Sequence, residues 1–396
     1  MAALEKIKSL LKEAVDHGEI AGGSLLVLKN GKELLYAEEG YADQEKQLPI
    51  QRDSIFRLYS MTKPVTACAA LLLVQQGKLE LLDPVGKYLP GFQNQKVAQG
   101  DELVPAAREM LVADLLSMTS GLVYPDASSR AGRDTAAVFE LIDRELLGDA
   151  PISTMEAMNL IGKGALHFQP GSSWCYGTSA DVLGAVIEAA SGKRFGAFLE
   201  EELFAPLGMK DTGFYVPENQ RHRLVQVYQR DGKGGLTEYQ GNHLGIINKM
   251  DRKPAFEAGG AGLVSTADDY GKFAAMLIRG GSHEGKQILS PKMHQYYTSR
   301  RLHEEGQKAF ALWGPGARGY SYGNLMRIMM DEQQAYVIGS KGEYGWDGWL
   351  GTCFCNSPAD GLSIIFMTQR TDAGMMPITY RLRNALFCEY GGRRDR

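Results

Sequence analysis

Long apolar runs are missing from this 396-residue chain, in which no stretch reaches the roughly 18 residues that a membrane-spanning helix needs. An excess of one charge sign is missing too. The 43 Lys and Arg against 47 Asp and Glu leave a formal net charge of -4, which gives no pull toward nucleic acid or anionic membrane. Cysteine is scarce: Cys68, Cys175, Cys353, Cys355 and Cys388 form an odd, scattered set with no C-x-x-C spacing. That speaks against a metal site or a disulfide framework and for reduced, mostly buried thiols. The seven histidines are dispersed, none at ligand spacing to a second His or a Cys, so most are expected at the surface or at helix ends. There is no H-E-x-x-H, no phosphate loop and no G-x-G-x-x-G after a strand. The start, MAALEKIKSLLKEAVDHGEIAGG, is no secretory signal, because Glu5, Lys8, Lys12 and Glu13 interrupt its apolar pattern. The chain therefore reads as cytoplasmic, with no nucleic-acid or membrane partner and no metal or organic cofactor.

What is present reads as ordered secondary structure. At about 150 residues per domain the length suggests two to three units. Leu4, Ile7, Leu10, Leu11 and Val15 share one face of a helix over about 3–17. GGSLLVLKNGKELLYAEEGYAD then reads as two strands turned at Asn30-Gly31. From about 61 to 215 the periodicity is helical, with helices expected at 62–77, 111–118, 135–147, 154–163, 179–191 and 195–204 and a loop at 123–134. The stretch 215–258 reads as irregular. A helix capped by Ser265 or Thr266 follows, then strands at 322–330, 334–339, 349–356 and 362–368, and a last helix at 375–389. Strands from both ends with helices between them predict an α/β (α+β) fold: one antiparallel sheet flanked by the terminal helices, with an all-helical part inserted. The expected boundaries are 1–60 plus 256–396 for the sheet unit and 61–255 for the helical one.

The chemistry concentrates in FRLYSMTKPVTACAALLLVQQ, residues 56–76. Pro64 is tolerated only in the first turn of a helix, so the apolar helix behind it starts at about 60–63. Ser60 then stands at a helix N-terminus, where unpaired N–H groups favour an oxyanion. Lys63, three residues on, shares its face. Burial lowers a lysine pKa until the free amine accepts a proton, so the pair is a candidate nucleophile and base without histidine. The spacing alone is weak, since S-x-x-K arises by chance about once in a chain of this size. Ser9 and Lys12 match it as well, on an amphipathic helix with no apolar embedding. A third proton carrier is needed, and Tyr176, in FQPGSSWCYGTSADVLG ahead of the 179–191 helix, is placed to point into a cleft; its alternative is packing.

LYSMTKPVTA, LLSMTSGL (115–122), FQPGSSWCYGTSADVLG, GGAGLVSTADDYGKF and YGWDGWLGT (344–352) come in the order and at the intervals of the serine β-lactamase and penicillin-binding-protein superfamily. The chain resembles that superfamily over nearly its whole length, most of all its class C β-lactamase-like members and the family VIII carboxylesterases. The resemblance implies that Ser60 is acylated, Lys63 acts as base and Tyr176 relays the proton. It further implies an oxyanion hole from the backbone N–H groups of Ser60 and Trp349, the latter on an edge strand. It places Thr178 and the third motif, Trp346-Asp347-Gly348, at the substrate. Two departures stand out. Thr178 occupies the position of the usual Asn of Y-x-N, and Trp346 replaces the Lys or His whose cation holds a substrate carboxylate in relatives.

Both departures point away from β-lactams and D-alanyl peptides and toward carboxylic esters. A serine hydrolase working on a small ester or amide through an acyl-enzyme is therefore expected. A β-lactamase, a D-amino-acid peptidase or amidase, and an acyltransferase share the chemistry; a non-catalytic binding protein keeping the scaffold is the rival of another class.

Overall fold

The computed structural model describes residues 2–100 and 102–392. The outermost ends of the expected sheet unit, Met1 and 393–396, lie outside the described residues. Eight strands make one antiparallel sheet: β1 (Gly22–Lys29), β2 (Lys32–Asp43), β3 (Leu48–Pro49), β4 (Tyr320–Gly323), β5 (Met326–Met329), β6 (Tyr344–Asp347), β7 (Cys353–Ser357) and β8 (Leu362–Thr368). Their order is β4-β5-β6-β7-β8-β1-β2-β3, so the first and last strands of the chain pair at the centre. That pairing runs from Gly23 opposite Thr368 to Lys29 opposite Leu362. Asn30 and Gly31 turn the β1–β2 hairpin with φ of 52° and 74°, the left-handed pair that matches strand twist.

The strand period of two sorts side chains onto two faces. Leu25 and Val27 of β1, Cys353 and Cys355 of β7, and Ile364 and Phe366 of β8 face a core shared with two terminal helices, α1 (Ala2–Asp16) and α11 (Pro377–Tyr390). Leu26, Leu28, Phe354, Ile365 and Met367 belong to the second and larger core. That core takes in α2 (Thr62–Gln75), α3 (Val112–Ser117), α4 (Arg130–Glu145), α5 (Thr154–Gly162), α6 (Ser179–Ser191), α7 (Phe195–Leu199) and α8 (Ala267–Ile278). The fold is the antiparallel sheet with flanking and inserted helices that the pattern predicts.

Several expected elements shift. The helix expected from 135 begins at Arg130, because the Ser129 hydroxyl accepts the Gly132 N–H and starts it early. Thr266, not Ser265, caps α8, by accepting the Asp269 N–H. The expected strand at 322–330 is a hairpin instead: Asn324 and Leu325, with φ of 49° and 60°, fold β4 onto β5. The 334–339 segment forms no strand, and its Tyr336 and Ile338 are exposed. The run at 349–356 yields a turn and only then β7, while β6 was not expected, since Gly345 and Asp347 dilute its apolar pattern. Two short helices, α9 (Pro291–Ser299) and α10 (Glu304–Ala311), also escaped the reading; the side chains of Ser290 and His303 cap them. Within 215–258 the only regular pairing among the described residues is Tyr228–Arg230 with Leu236–Glu238.

Candidate active site

Ser60 lies in a single 3-10 turn, Tyr59–Met61, that runs directly into α2. Tyr59 is held at φ 45°, a left-handed conformation that costs a non-glycine residue of order 1–2 kcal/mol. Packing fixes it there, with its ring 4.9 Å from that of Trp349 and 6.0 Å from that of His243. The segment just ahead is tied down as well: the Leu58 N–H donates to Leu263 O, and Thr352 Oγ1 donates to Leu58 O at 3.0 Å. Pro64 falls in the first turn of α2, and every residue from Thr62 to Leu73 is buried. A helix apolar on all sides supplies the medium that a lysine base requires.

Lys63 has no solvent contact. Its Nζ stands 3.0 Å from Ser60 Oγ, and it donates to the Gly260 carbonyl at 2.8 Å and to the Tyr124 hydroxyl at 2.9 Å. Burial pulls its pKa down to about 7, against the opposing charges of Asp181 and Asp347, which favour the ammonium. Tyr176 lies beside the amine, its ring centroid 4.7 Å from Nζ and 5.6 Å from that of Tyr124. Trp346 Nε1 donates to Tyr176 OH at 2.9 Å. Burial raises the Tyr176 pKa well above the ordinary phenol value, more than its hydrogen bonds with Ser60 and Trp346 lower it, so the phenol holds its proton at neutral pH. The decoy pair behaves differently: Lys12 is exposed and bonds Asp16, and Ser9 bonds Glu13.

Ser60, Tyr124, Tyr176 and Trp349 line one cavity of about 490 Å³, with Tyr59, Phe139, His243 and Leu244 as further walls and Glu140 and Asp143 from α4. Among the described residues neither Lys nor Arg lines it. His243 stacks on Trp349 at 4.1 Å, which departs from the surface or helix-end position expected for most histidines. Trp349 occupies the turn after β6 rather than an edge strand, and β6 itself lies between β5 and β7. Its backbone N–H makes no hydrogen bond among the described residues.

The expected substrate contacts at 178 and 346–348 need correction. Thr178 is fully buried ahead of α6 and does not reach the cavity. Trp346, 1% exposed, sits behind Tyr176 and holds its hydroxyl. Asp347 points into a separate cavity and pairs with Arg327. Gly348 packs against the chain ahead of Ser60: a Cβ there would meet Leu58 O and Thr352 Oγ1, both at 2.3 Å. The third motif therefore supports the site from behind. Tyr124 and Asp181 were missed. Tyr124 lies in the loop expected at 123–134 and Asp181 in the segment FQPGSSWCYGTSADVLG, but with 18 tyrosines and 47 acidic residues in the chain only the fold singles them out.

A serine facing a solvent-free amine at the head of an apolar helix, with a protonated phenol beside them, defines a serine hydrolase of the β-lactamase fold. The chain belongs to the beta-lactamase family, whose model matches residues 7–386. It is 30% identical over 393 residues to esterase EstB of Burkholderia gladioli, covering 96% of this chain and 94% of that protein. It is 31% identical over 374 residues to protein Rv1367c of Mycobacterium tuberculosis, covering 92% and 90%. Among solved structures it resembles EstCE1, described as a hydrolase with promiscuous acyltransferase activity, with a TM-score of 0.81, 25% identity and coverage of 98% and 99%. Among the described residues no group of three His, Cys, Asp or Glu side chains is placed to hold a metal, and no helix is long and apolar enough to cross a membrane.

Proposed function

We propose that the enzyme hydrolyses small carboxylic esters through an acyl-enzyme on Ser60. The observation that carries this is the Lys63 amine, shut off from water and 3.0 Å from Ser60 Oγ. As a neutral amine it donates two hydrogens, to Gly260 O and Tyr124 OH, and keeps its lone pair for the Ser60 proton. Ser60 Oγ attacks the ester carbonyl and Lys63 takes its proton. Tyr176 gives its own proton to the departing alkoxide and recovers one from Lys63. Water then attacks the acyl-serine by the reverse proton route and releases the acid. The Ser60 and Trp349 backbone N–H groups serve as the oxyanion hole.

EstB is named an esterase, which supports the ester reading over its lactamase and peptidase rivals. So does the cavity lining, where Glu140 and Asp143 repel a substrate carboxylate and, among the described residues, no Lys or Arg attracts one. The acyltransferase activity described for EstCE1 recommends adding a second alcohol as competing acceptor in the assay.

The test is initial rates of the protein and of Ser60→Ala on p-nitrophenyl esters from acetate to octanoate, with nitrocefin in parallel. Ester turnover that drops by thousands-fold or more in the variant, with little nitrocefin signal, is the expected result. Equal rates in both proteins, or no turnover in either, would overturn the mechanism.

A further inference from the structure

Asp181 is 3% exposed at the third position of α6 and forms no ion pair with a Lys or Arg at hydrogen-bonding distance among the described residues. Its Oδ1 accepts the Gly260 N–H at 2.8 Å, and the Gly260 carbonyl accepts the Lys63 amine at 2.8 Å. One glycine thus stands between a buried carboxylate and a buried amine, bonded to each through its own backbone. The strap that carries it is clamped between α2 and α6. Thr66 Oγ1 donates to Gly259 O at 2.6 Å; a Cβ on Gly259 would meet Ala180 O at 2.3 Å, and one on Gly260 would meet Asp181 Oδ2 at 2.7 Å. Only glycine admits this approach.

We propose that Asp181 is a positioning residue for Lys63, acting through Gly260, on which the amine is hung against Ser60. The proposal rests on the Ser60–Lys63 reading above. Two effects follow from the geometry. The carboxylate fixes the Gly260 peptide that receives one of the amine's hydrogens, and its negative charge favours the ammonium form against the burial that opposes it. The other polar and charged groups facing Lys63 are Ser60 ahead of its own helix, Tyr124 on the loop after α3, Tyr176 ahead of α6 and Asp347 on β6. A plainer role for Asp181 is to complement the N-terminus of α6, as an acidic residue in a first turn commonly does.

Asp181→Asn and Asp181→Ala separate these roles. Asparagine keeps an acceptor for Gly260 and loses the charge; alanine loses both. The titration of Lys63 is read by NMR of ¹³C-lysine-labelled protein, with Lys63→Met identifying its resonance, and the acidic limb of kcat/KM on p-nitrophenyl acetate is read beside it. In Asp181→Asn both midpoints are expected to move down by about one pH unit. In Asp181→Ala the plateau kcat is expected to fall a further tenfold or so as the strap relaxes. A loss of thermal stability with the Lys63 midpoint and the limb unmoved in both variants would overturn the proposal and leave only the helix-terminus role. Should the wild type turn over no ester, the hydrolase reading fails, and the NMR midpoint still decides for or against Asp181.

Discussion

A lysine sealed from water destabilises the fold that carries it, and Lys63 is expected to show both sides of that exchange. Below about pH 7 the amine takes a proton and ceases to be a base, so kcat/KM should fall about tenfold per pH unit below that point and level off above it. In the unfolded chain the same amine stays protonated up to about pH 10.4. Between about 7 and 10.4 the unfolded state therefore binds more protons, and this residue makes stability rise with pH across that window and adds no slope below it. Lys63→Met is expected to be inactive yet more stable at pH 7, by about 1 kcal/mol or more in a urea melt, because a methionine fills the space without a polar head. A lower midpoint would show instead that the three hydrogen bonds of the amine outweigh its desolvation. Trp346→Phe tests the phenol: it removes the donor to Tyr176 OH while keeping an aromatic wall, and should lower kcat about threefold to tenfold with KM little changed.

At the scale of elements, the site depends on two close backbone approaches, and each has a glycine. Gly348 lets the turn after β6 rest on Leu58, two residues ahead of the nucleophile. Gly348→Ala is expected to cost about 1–3 kcal/mol in stability and at least tenfold in kcat/KM, measured by denaturant melts and the acetate assay, as the turn bearing Trp349 backs away from Ser60. Much of this framework was legible in advance. The Asn30-Gly31 hairpin, α2 with Pro64 in its first turn, and α6 each stand where local chemistry demands them. The five motif stretches likewise located Ser60, Lys63 and Tyr176, which the fold brings together. What stayed hidden had no local signal. The β4–β5 hairpin turns on Asn324 and on Leu325, a residue that rarely adopts positive φ, and β6 owes its strand to its neighbours β5 and β7 more than to Gly345 and Asp347. Thr178, Trp346 and Asp347 flank the reacting groups in sequence while the fold turns them away from the cavity, a distinction that spacing does not encode.

On the scale of the whole molecule, strands from the two ends of the chain meet at the sheet centre, so β1 has no β8 partner until the polypeptide is nearly complete. Long-range pairing of this kind makes folding slow. Ile365→Ala, at a buried position opposite Leu26, is expected to destabilise the protein by about 2–5 kcal/mol in a denaturant melt. The cavity, too, answers to the charge around it as a sum. Removing both carboxylates, Glu140→Gln with Asp143→Asn, should raise the rate of Ser60 acylation by the anionic nitrocefin several-fold at low ionic strength, with the gain shrinking in high salt. An unchanged rate would exclude the carboxylates as the source of discrimination.

Of the four tryptophans of the chain, Trp349 lines the cavity and the other three pack around Tyr176 behind it. The rings of Trp313, Trp346 and Trp174 lie 5.3, 5.5 and 6.4 Å from that of Tyr176, and Trp349 faces Tyr59 beside the nucleophile. Indole emission from the intact protein is therefore emission from the neighbourhood of Ser60, with no background from elsewhere in the chain. Acyl-serine formation and decay can be followed by stopped-flow fluorescence on unlabelled enzyme and colourless esters, each substrate writing its own optical trace.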